Sequence, residues 1–209
     1  MVFEYATIGF ASIFFAILVL LHFLKREFDP TWRMISEYEI GRFGWMMRIA
    51  FFCWGASALA LLITIWPSLG SISGTVSRGW LILIVIALFG AGIFKTNPIT
   101  ETASNPTNTL HMLFGMIVIL TFPIVASLTV HSLLQNEIWV PSHGQLIFGT
   151  VLVWTGLIAY FASIIISRII HPSIGRVGPK VYQGWPNRFM AATYVIWLIM
   201  VAVNALRFL

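Results

Sequence analysis

Between Tyr5 and Leu24 the chain runs without a single Asp, Glu, Lys or Arg. Five further long apolar runs follow, and their length is what most limits the fold. A helix needs roughly 20 mostly apolar residues to cross the hydrocarbon core of a bilayer. The runs fall at 5–24, 44–66, 79–96, 110–134, 145–169 and 188–208, each ended by polar or turn residues. Backbone amides in lipid are satisfied only within helices or closed barrels, and barrel strands read as short alternating segments. The expected fold is therefore all-α, an integral membrane bundle of six transmembrane helices. Composition agrees: 59% of residues are apolar and 9% charged, against about a quarter charged in soluble domains. Six spans with short connections use up the 209 residues, so 1–209 is read as one transmembrane domain.

The few charges are placed unevenly. An even number of spans puts both termini on one side and loops 1, 3 and 5 on the other. Lys25, Arg26, Arg33, Arg42, Arg48, Lys95, Arg168, Arg176, Lys180 and Arg188 fall at loops 1, 3 and 5, while Arg78 and Arg207 fall with the termini. The positive-inside rule puts those loops in the cytoplasm and both termini outside. The expected location is the plasma (inner) membrane. The basic balance then reports topology and anionic headgroups, and nucleic acid is not an expected partner. The first run has Glu4 before it and no basic start, and Lys25-Arg26 stop it, so it reads as a retained anchor rather than a cleaved signal. A lone cysteine, Cys53, cannot form an internal disulfide.

Loop 1 is the exception to the scarcity of charge. The stretch "HFLKREFDPTWRMISEYEIGRFGW" (22–45) holds Glu27, Asp29, Glu37 and Glu39, which are four of the seven acidic residues, with Lys25, Arg26, Arg33 and Arg42 among them. Aromatic residues are interleaved with these charges, which favours the membrane interface. Ser36 with Glu39 has the S-x-x-E capping spacing. A short interfacial helix lying flat on the membrane is expected. Topology brings this loop to the same face as "FKTNP" (94–98), the start of span 4 at His111, and "VYQGWPNRF" (181–189). Arg33, Arg48 and Arg188 are then expected to face Glu37, Tyr38, Glu39 and His111, with Tyr182 nearby. Such a pocket suits an amphiphile with an anionic head. Arg48 sits one turn into span 2, where an unpaired charge is costly and either pairs or reaches a headgroup.

These same stretches carry a resemblance. "SEYEIGRFGW" before span 2, "GIFKTNP" leaving span 3, His111 opening span 4 and "YQGWPNR" leading into span 6 resemble the DUF998 family of multi-span membrane proteins. The resemblance extends from loop 1 to span 6 and implies the six-span fold. The family pattern has an acidic residue near the span 3 exit and before the span 6 arginine. Here those places hold "KTNP" and Asn187, so no acid-dependent role is expected there. The family has no assigned function, so the resemblance implies no activity.

Histidines invite a haem or metal reading. His22 and His111 end up at one face, and His131 and His143 at the other. His111 and His131 are twenty residues apart, or about 30 Å along a helix, which leaves no pair at haem depth. Catalytic zinc wants about three protein ligands, and no H-E-x-x-H or similar helical pair occurs. Nucleophile and phosphate-loop motifs are also missing. No cofactor and no metal is expected. The preferred reading is a non-catalytic membrane protein that binds a lipid-like ligand or a membrane-protein partner. The alternatives are an enzyme acting on a lipid of the inner leaflet, with His111 as acid/base and Glu37 as its partner, and a b-haem redox subunit.

Overall fold

A computed structural model describes residues 1–101, 105–171 and 178–208. Arg176 lies outside the described residues. Six helices are long and apolar enough to cross a membrane. They are α1 (Val2–Leu24), α2 (Gly44–Ile65), α3 (Ile72–Ile93), α4 (Pro106–Leu133), α5 (His143–Ile170) and α6 (Gly184–Ala205). Short 3₁₀ turns at Ile35–Glu39, Trp66–Ser68 and Glu137–Ser142 complete the regular structure, and no strand occurs among the described residues. The protein is thus an all-α integral membrane bundle. Its shortest spans, at 22 residues, are about 33 Å long at 1.5 Å per residue, enough for a core of about 30 Å.

Five spans lie within a few residues of their expected places. The third differs: it begins at Ile72, not near 79. The polar letters of "SISGTVSR" (71–78) read as loop, yet each finds a partner inside the bundle. Ser71 caps the helix by accepting from the Gly74 N–H at 3.1 Å. Ser77 and Thr129 of α4 share a hydrogen bond of 2.5 Å between hydroxyls. Arg78 donates to the Trp66 carbonyl at 3.1 Å and lies over its ring. Short hydroxyl side chains can enter a membrane helix because they bond locally or across to a neighbour. At the start of α4, Asn105 accepts from the N–H groups of Thr107 (2.8 Å) and Asn108 (3.4 Å), and Pro106 opens the helix. That is the usual division of labour between an N-cap and a first-turn proline.

Helices adjacent in the chain pack together, and α6 returns to α1 and α2, which closes the bundle. Among the consecutive pairs, α4 and α5 pack most loosely. The spans α2 and α6 are the most enclosed, while α1 and α5 turn most of their surface outward. Tyr194 of α6 ties the centre together: it stacks on Phe122 of α4 at 4.5 Å and its hydroxyl donates to the Ile119 carbonyl at 2.8 Å. The described parts of loops 1, 3 and 5 gather at one end of the bundle, and Met1 and Phe208 lie at the other.

Candidate functional site

The middle of loop 1 does not lie on the surface, although Arg26, Glu27, Asp29 and Arg42 on either side of it are exposed. Ile35, Glu37, Tyr38 and Glu39 of its 3₁₀ turn are all buried, which corrects the flat interfacial helix expected from the aromatics. The cap differs as well. Glu37, not Glu39, reaches back, and its Oε2 accepts from the Met34 N–H at 3.0 Å. Two glycines let the loop press inward. A side chain at Gly44 would collide with the Glu39 backbone, and one at Gly184 would meet the carbonyls of Pro30 and Arg33. The Gly184 N–H donates to the Thr31 carbonyl at 3.0 Å, stitching the start of α6 to loop 1. Lys25, at the end of α1, is also buried. Its ammonium donates to the carbonyls of Tyr38 (3.0 Å) and Ile40 and sits 4.6 Å from the Phe28 ring centre. Burial pulls the Lys25 pKa down, and exposed Glu27 pushes it back up.

The two glutamates play matching parts. Glu37 Oε1 accepts from Arg33 Nη1 at 2.5 Å and from the Ile99 N–H at 2.9 Å. Glu39 Oε1 accepts from Arg48 Nε at 2.8 Å, and its Oε2 accepts from the Thr96 N–H at 3.2 Å. Each carboxylate therefore holds one arginine and one amide of loop 3. Residues two apart point to different sides, and here that spacing matches two amides three residues apart in an extended loop. Arg48 pairs with Glu39 rather than reaching out to a headgroup. Burial pushes the Glu39 carboxyl above its ordinary value, opposed by the Thr96 N–H, His111 and Arg48.

Arg188 is the centre of the cluster and is buried. Nε donates to His22 Nε2 at 2.8 Å, Nη1 to the carbonyls of Arg33 (2.6 Å) and Gly184 (3.0 Å), and Nη2 to the Tyr38 hydroxyl at 2.8 Å. All four acceptors are neutral. His22 Nδ1 donates to the Leu18 carbonyl at 2.7 Å, so both nitrogens of that ring are engaged. His111 is buried, with Nδ1 donating to the carbonyls of Ala91 (3.0 Å) and Phe94 (2.8 Å). Its carboxylate neighbour is Glu39, 3.7 Å away, and not Glu37 as the acid/base reading had it. Arg33, Glu37, Tyr38, Glu39, Arg48, His111 and Arg188 thus converge. Tyr182 does not: its side chain is exposed, and its backbone N–H donates to Ser167 Oγ at 3.0 Å.

Beneath this cluster lies a cavity of about 260 Å³ with almost wholly apolar walls. Loop 1 contributes Met34 and Ile35 to its wall, and Tyr160 of α5 and Ile119 of α4 line it from within the spans. Tyr160 is ten residues before the end of α5 at Ile170, or about 15 Å of depth at 1.5 Å per residue. Met112 and Met116 of α4 line it and are also exposed on the bundle surface. These two methionines stand beside the loosely packed α4–α5 pair. His111 is the one cluster member that lines it; Arg33, Arg48 and Arg188 do not.

Several residues of this region escaped the sequence reading. Asn187 Oδ1 accepts from the Ile35 N–H at 3.0 Å, and Asn108 Oδ1 from the Asn97 N–H at 2.9 Å. Asn187 thus anchors loop 1 from the start of α6. Trp54 and Gln183 line the cavity and gave no signal, since a tryptophan in a span and a glutamine in a loop are both ordinary. A polar residue at the N-cap of the helix that carries a buried arginine, as Gln183 is to Arg188, is the kind of pattern that would have pointed there.

No characterised protein and no solved structure matches the chain. The family model described as "Protein of unknown function (DUF998)" matches residues 8–204, from the second turn of α1 to the last turn of α6, and the chain belongs to that family.

Proposed function

We propose that this protein is a non-catalytic membrane protein that binds a lipid-like amphiphile at the loop 1, 3 and 5 end of its bundle. The observation that carries the reading is the cavity of about 260 Å³ under loop 1, lined on its α4 side by Met112 and Met116, which are also exposed to the surroundings of the bundle. An apolar chamber capped by a polar cluster has the layout of an amphiphile site: hydrocarbon below, headgroup level above. The volume falls just under the roughly 300–1,000 Å³ of small-molecule sites. It admits a ring or the end of a chain, while the remainder stays in the bilayer. Ten of the twelve basic residues fall in or beside loops 1, 3 and 5 of the sequence, which supports a cytoplasmic orientation and a ligand taken from the inner leaflet. A catalytic role has less support. Glu37 is already held by Arg33, Met34 and Ile99, and is not free to move a proton for His111.

Gly115→Leu tests the proposal. Gly115 lines the cavity, and a Cβ there meets nothing within 4 Å. Leucine should therefore fill the chamber without strain, and it is the better helix former. Protein purified in mild detergent should carry a co-purifying lipid by native mass spectrometry, and Gly115→Leu should lose it at an unchanged melting point. Equal lipid content in both would end the proposal.

A further inference from the structure

The chemistry of the ligand can be narrowed, on the premise that the amphiphile site just proposed is real. His111 is 4% exposed, and its ring forms part of the cavity wall. Its two nitrogens differ. Nδ1 faces only acceptors, the carbonyls of Ala91 and Phe94 and the Glu39 carboxylate 3.7 Å away, so it carries the ring proton. Nε2 then presents a lone pair and can only accept. It has no hydrogen-bond partner among the described residues. Nor is it sealed in. Trp54 Nε1 and Gln183 Nε2 are unpartnered and have no accessible surface, but His111 Nε2 is not among such atoms. Nε2 therefore keeps open surface, and on so deeply buried a ring the space it opens to is the cavity.

That lone pair sets the polarity of what fits beside it. The Ser36 and Tyr160 hydroxyls belong to the same wall, but a hydroxyl donates or accepts and so does not select. An ester or ether oxygen beside Nε2 would set acceptor against acceptor. An anionic head fits worse. No Lys or Arg lines the cavity, and the nearby ones are occupied: Arg33 by Glu37, Arg48 by Glu39, Arg188 by four neutral acceptors, and Lys25 by the carbonyls of Tyr38 and Ile40. An anion here would be left without compensation, with the Glu39 carboxylate close behind the ring, at high cost. Water would satisfy the lone pair but not the apolar wall. A hydroxyl carried by a hydrocarbon chain satisfies both. His111 lies five residues into α4, which starts at Pro106, or about 8 Å along the helix, a depth that suits a hydroxyl head better than a chain end. We infer that the cavity takes a neutral lipid alcohol, whose hydroxyl donates to His111 Nε2 and whose hydrocarbon lies along the apolar wall towards Tyr160. This departs from the anionic head that the basic residues of loop 1 suggested.

The test uses the full chain in phosphatidylcholine nanodiscs with four probes of one chain length: oleyl alcohol, its methyl ether, oleyl sulfate and octadecene. Radiolabelled oleyl alcohol should bind saturably. The ether keeps the oxygen but cannot donate, and should compete about three- to tenfold more weakly, the worth of one hydrogen bond. Oleyl sulfate and octadecene should compete no better than the ether. His111→Asn keeps an amide N–H near the place of Nδ1 and removes Nε2. It should bind alcohol and ether alike, and octadecene as the wild type does. Octadecene is the folding control, since a damaged cavity would lose it too. Partition of each probe into the bilayer is the same for both proteins, so the alcohol-to-ether ratio reports the site. If the variant does not fold, the wild-type ratio decides alone. Equal binding of alcohol and ether by the wild type would overturn the inference. So would an alcohol preference that survives His111→Asn, or one that is lost in Tyr160→Phe instead. Stronger competition by oleyl sulfate would overturn it in favour of an anionic head on a protonated His111. All of these results leave the amphiphile reading standing. Failure of every probe to saturate, together with no lipid on the purified protein, sinks the amphiphile reading itself.

Discussion

Arg188 shows how a single buried charge can organise a site through neutral acceptors. Its guanidinium joins α1, loop 1 and α6 through His22, Tyr38 and the carbonyls of Arg33 and Gly184. Arg188→Gln strands most of these acceptors and should cost about 2–4 kcal/mol in a thermal or denaturant unfolding series. Glu27 is the control, because its carboxylate is 61% exposed and 3.9 Å from Lys25; Glu27→Gln should change stability by no more than about 0.5 kcal/mol. Glu37→Gln should fall between the two. Glu37 holds the Arg33 side chain while Arg188 holds the Arg33 carbonyl, so the Glu37→Gln, Arg188→Gln double mutant should depart from the sum by at least about 0.5 kcal/mol. An additive double mutant would mean the two halves of the cluster are independent. Glu39 adds a pH dependence with a definite sign. Its burial raises the carboxyl above its ordinary 4.5, so the folded protein holds more protons than the unfolded chain between those two values. Stability must then fall as pH climbs through that window from about 4.5. Melts of wild type and Glu39→Gln over that range should diverge in favour of the variant as pH rises; a wild type that gains instead would show that Arg48 and Thr96 outweigh burial. Charge placement made this cluster legible in outline, because arginines and glutamates at one membrane face have few other places to go. The partners were not legible. Pairing His111 with Glu39 rather than Glu37 depends on which way a five-residue 3₁₀ turn is rotated, and residue types do not specify that.

The elements most specific to this fold are the irregular ones. Spans α1, α2, α5 and α6 follow from apolar length alone, and their ends fall close to where polar residues begin. The start of α3 does not, because Ser71, Ser73, Gly74, Thr75 and Ser77 look like a loop by letter. Their hydroxyls bond to each other, to the helix or to α4, and a hydropathy pattern is blind to such pairings. Loop 1 misleads for the opposite reason. Its charges suggest water, yet Glu37 and Glu39 are taken up by Arg33, Arg48 and the amides of loop 3 and Lys25 by backbone carbonyls, so the Ile35–Glu39 turn can sink against α2 and α6 while Arg26, Glu27, Asp29 and Arg42 stay exposed. Close backbone approach is what permits it. Gly44→Ala and Gly184→Ala would drive a methyl group into backbone atoms of Glu39 in one case and of Pro30 and Arg33 in the other. Each should destabilise by about 1–3 kcal/mol, the usual cost of overpacking. Gly79→Ala, in α3 with nothing within 4 Å of its Cβ, should be neutral or slightly stabilising through helix propensity. Equal melting points for all three would mean that loop 1 is not held where α2 and α6 begin.

At the scale of the whole molecule, the cavity had no counterpart in any single stretch of sequence. Its wall comes from loop 1, loop 3 and helices α2 to α6, and only their assembly places Trp54 and Gln183 on the same chamber. The bundle itself was readable because bilayer thickness fixes span length. What the bundle leaves open is which end faces the cytoplasm, and that decides which leaflet can feed the cavity. The uneven spread of basic residues argues for the loop 1, 3 and 5 end. Single cysteines test it directly. Cys53 is buried within α2 and should stay silent to an impermeant thiol reagent. Arg42 and His143 are both exposed, at opposite ends of the bundle. In intact cells His143→Cys should be labelled and Arg42→Cys should be protected until the membrane is permeabilised. Arg42→Cys removes one of the ten basic residues in or beside loops 1, 3 and 5, too few to reverse the bias. Glu27→Cys, at the same end and exposed, keeps every basic residue and should report the same side. Labelling of both loop 1 positions from outside would invert the bundle. The cavity wall at Met112 and Met116 would then stand in the outer leaflet, and any ligand of the cavity would have to come from there.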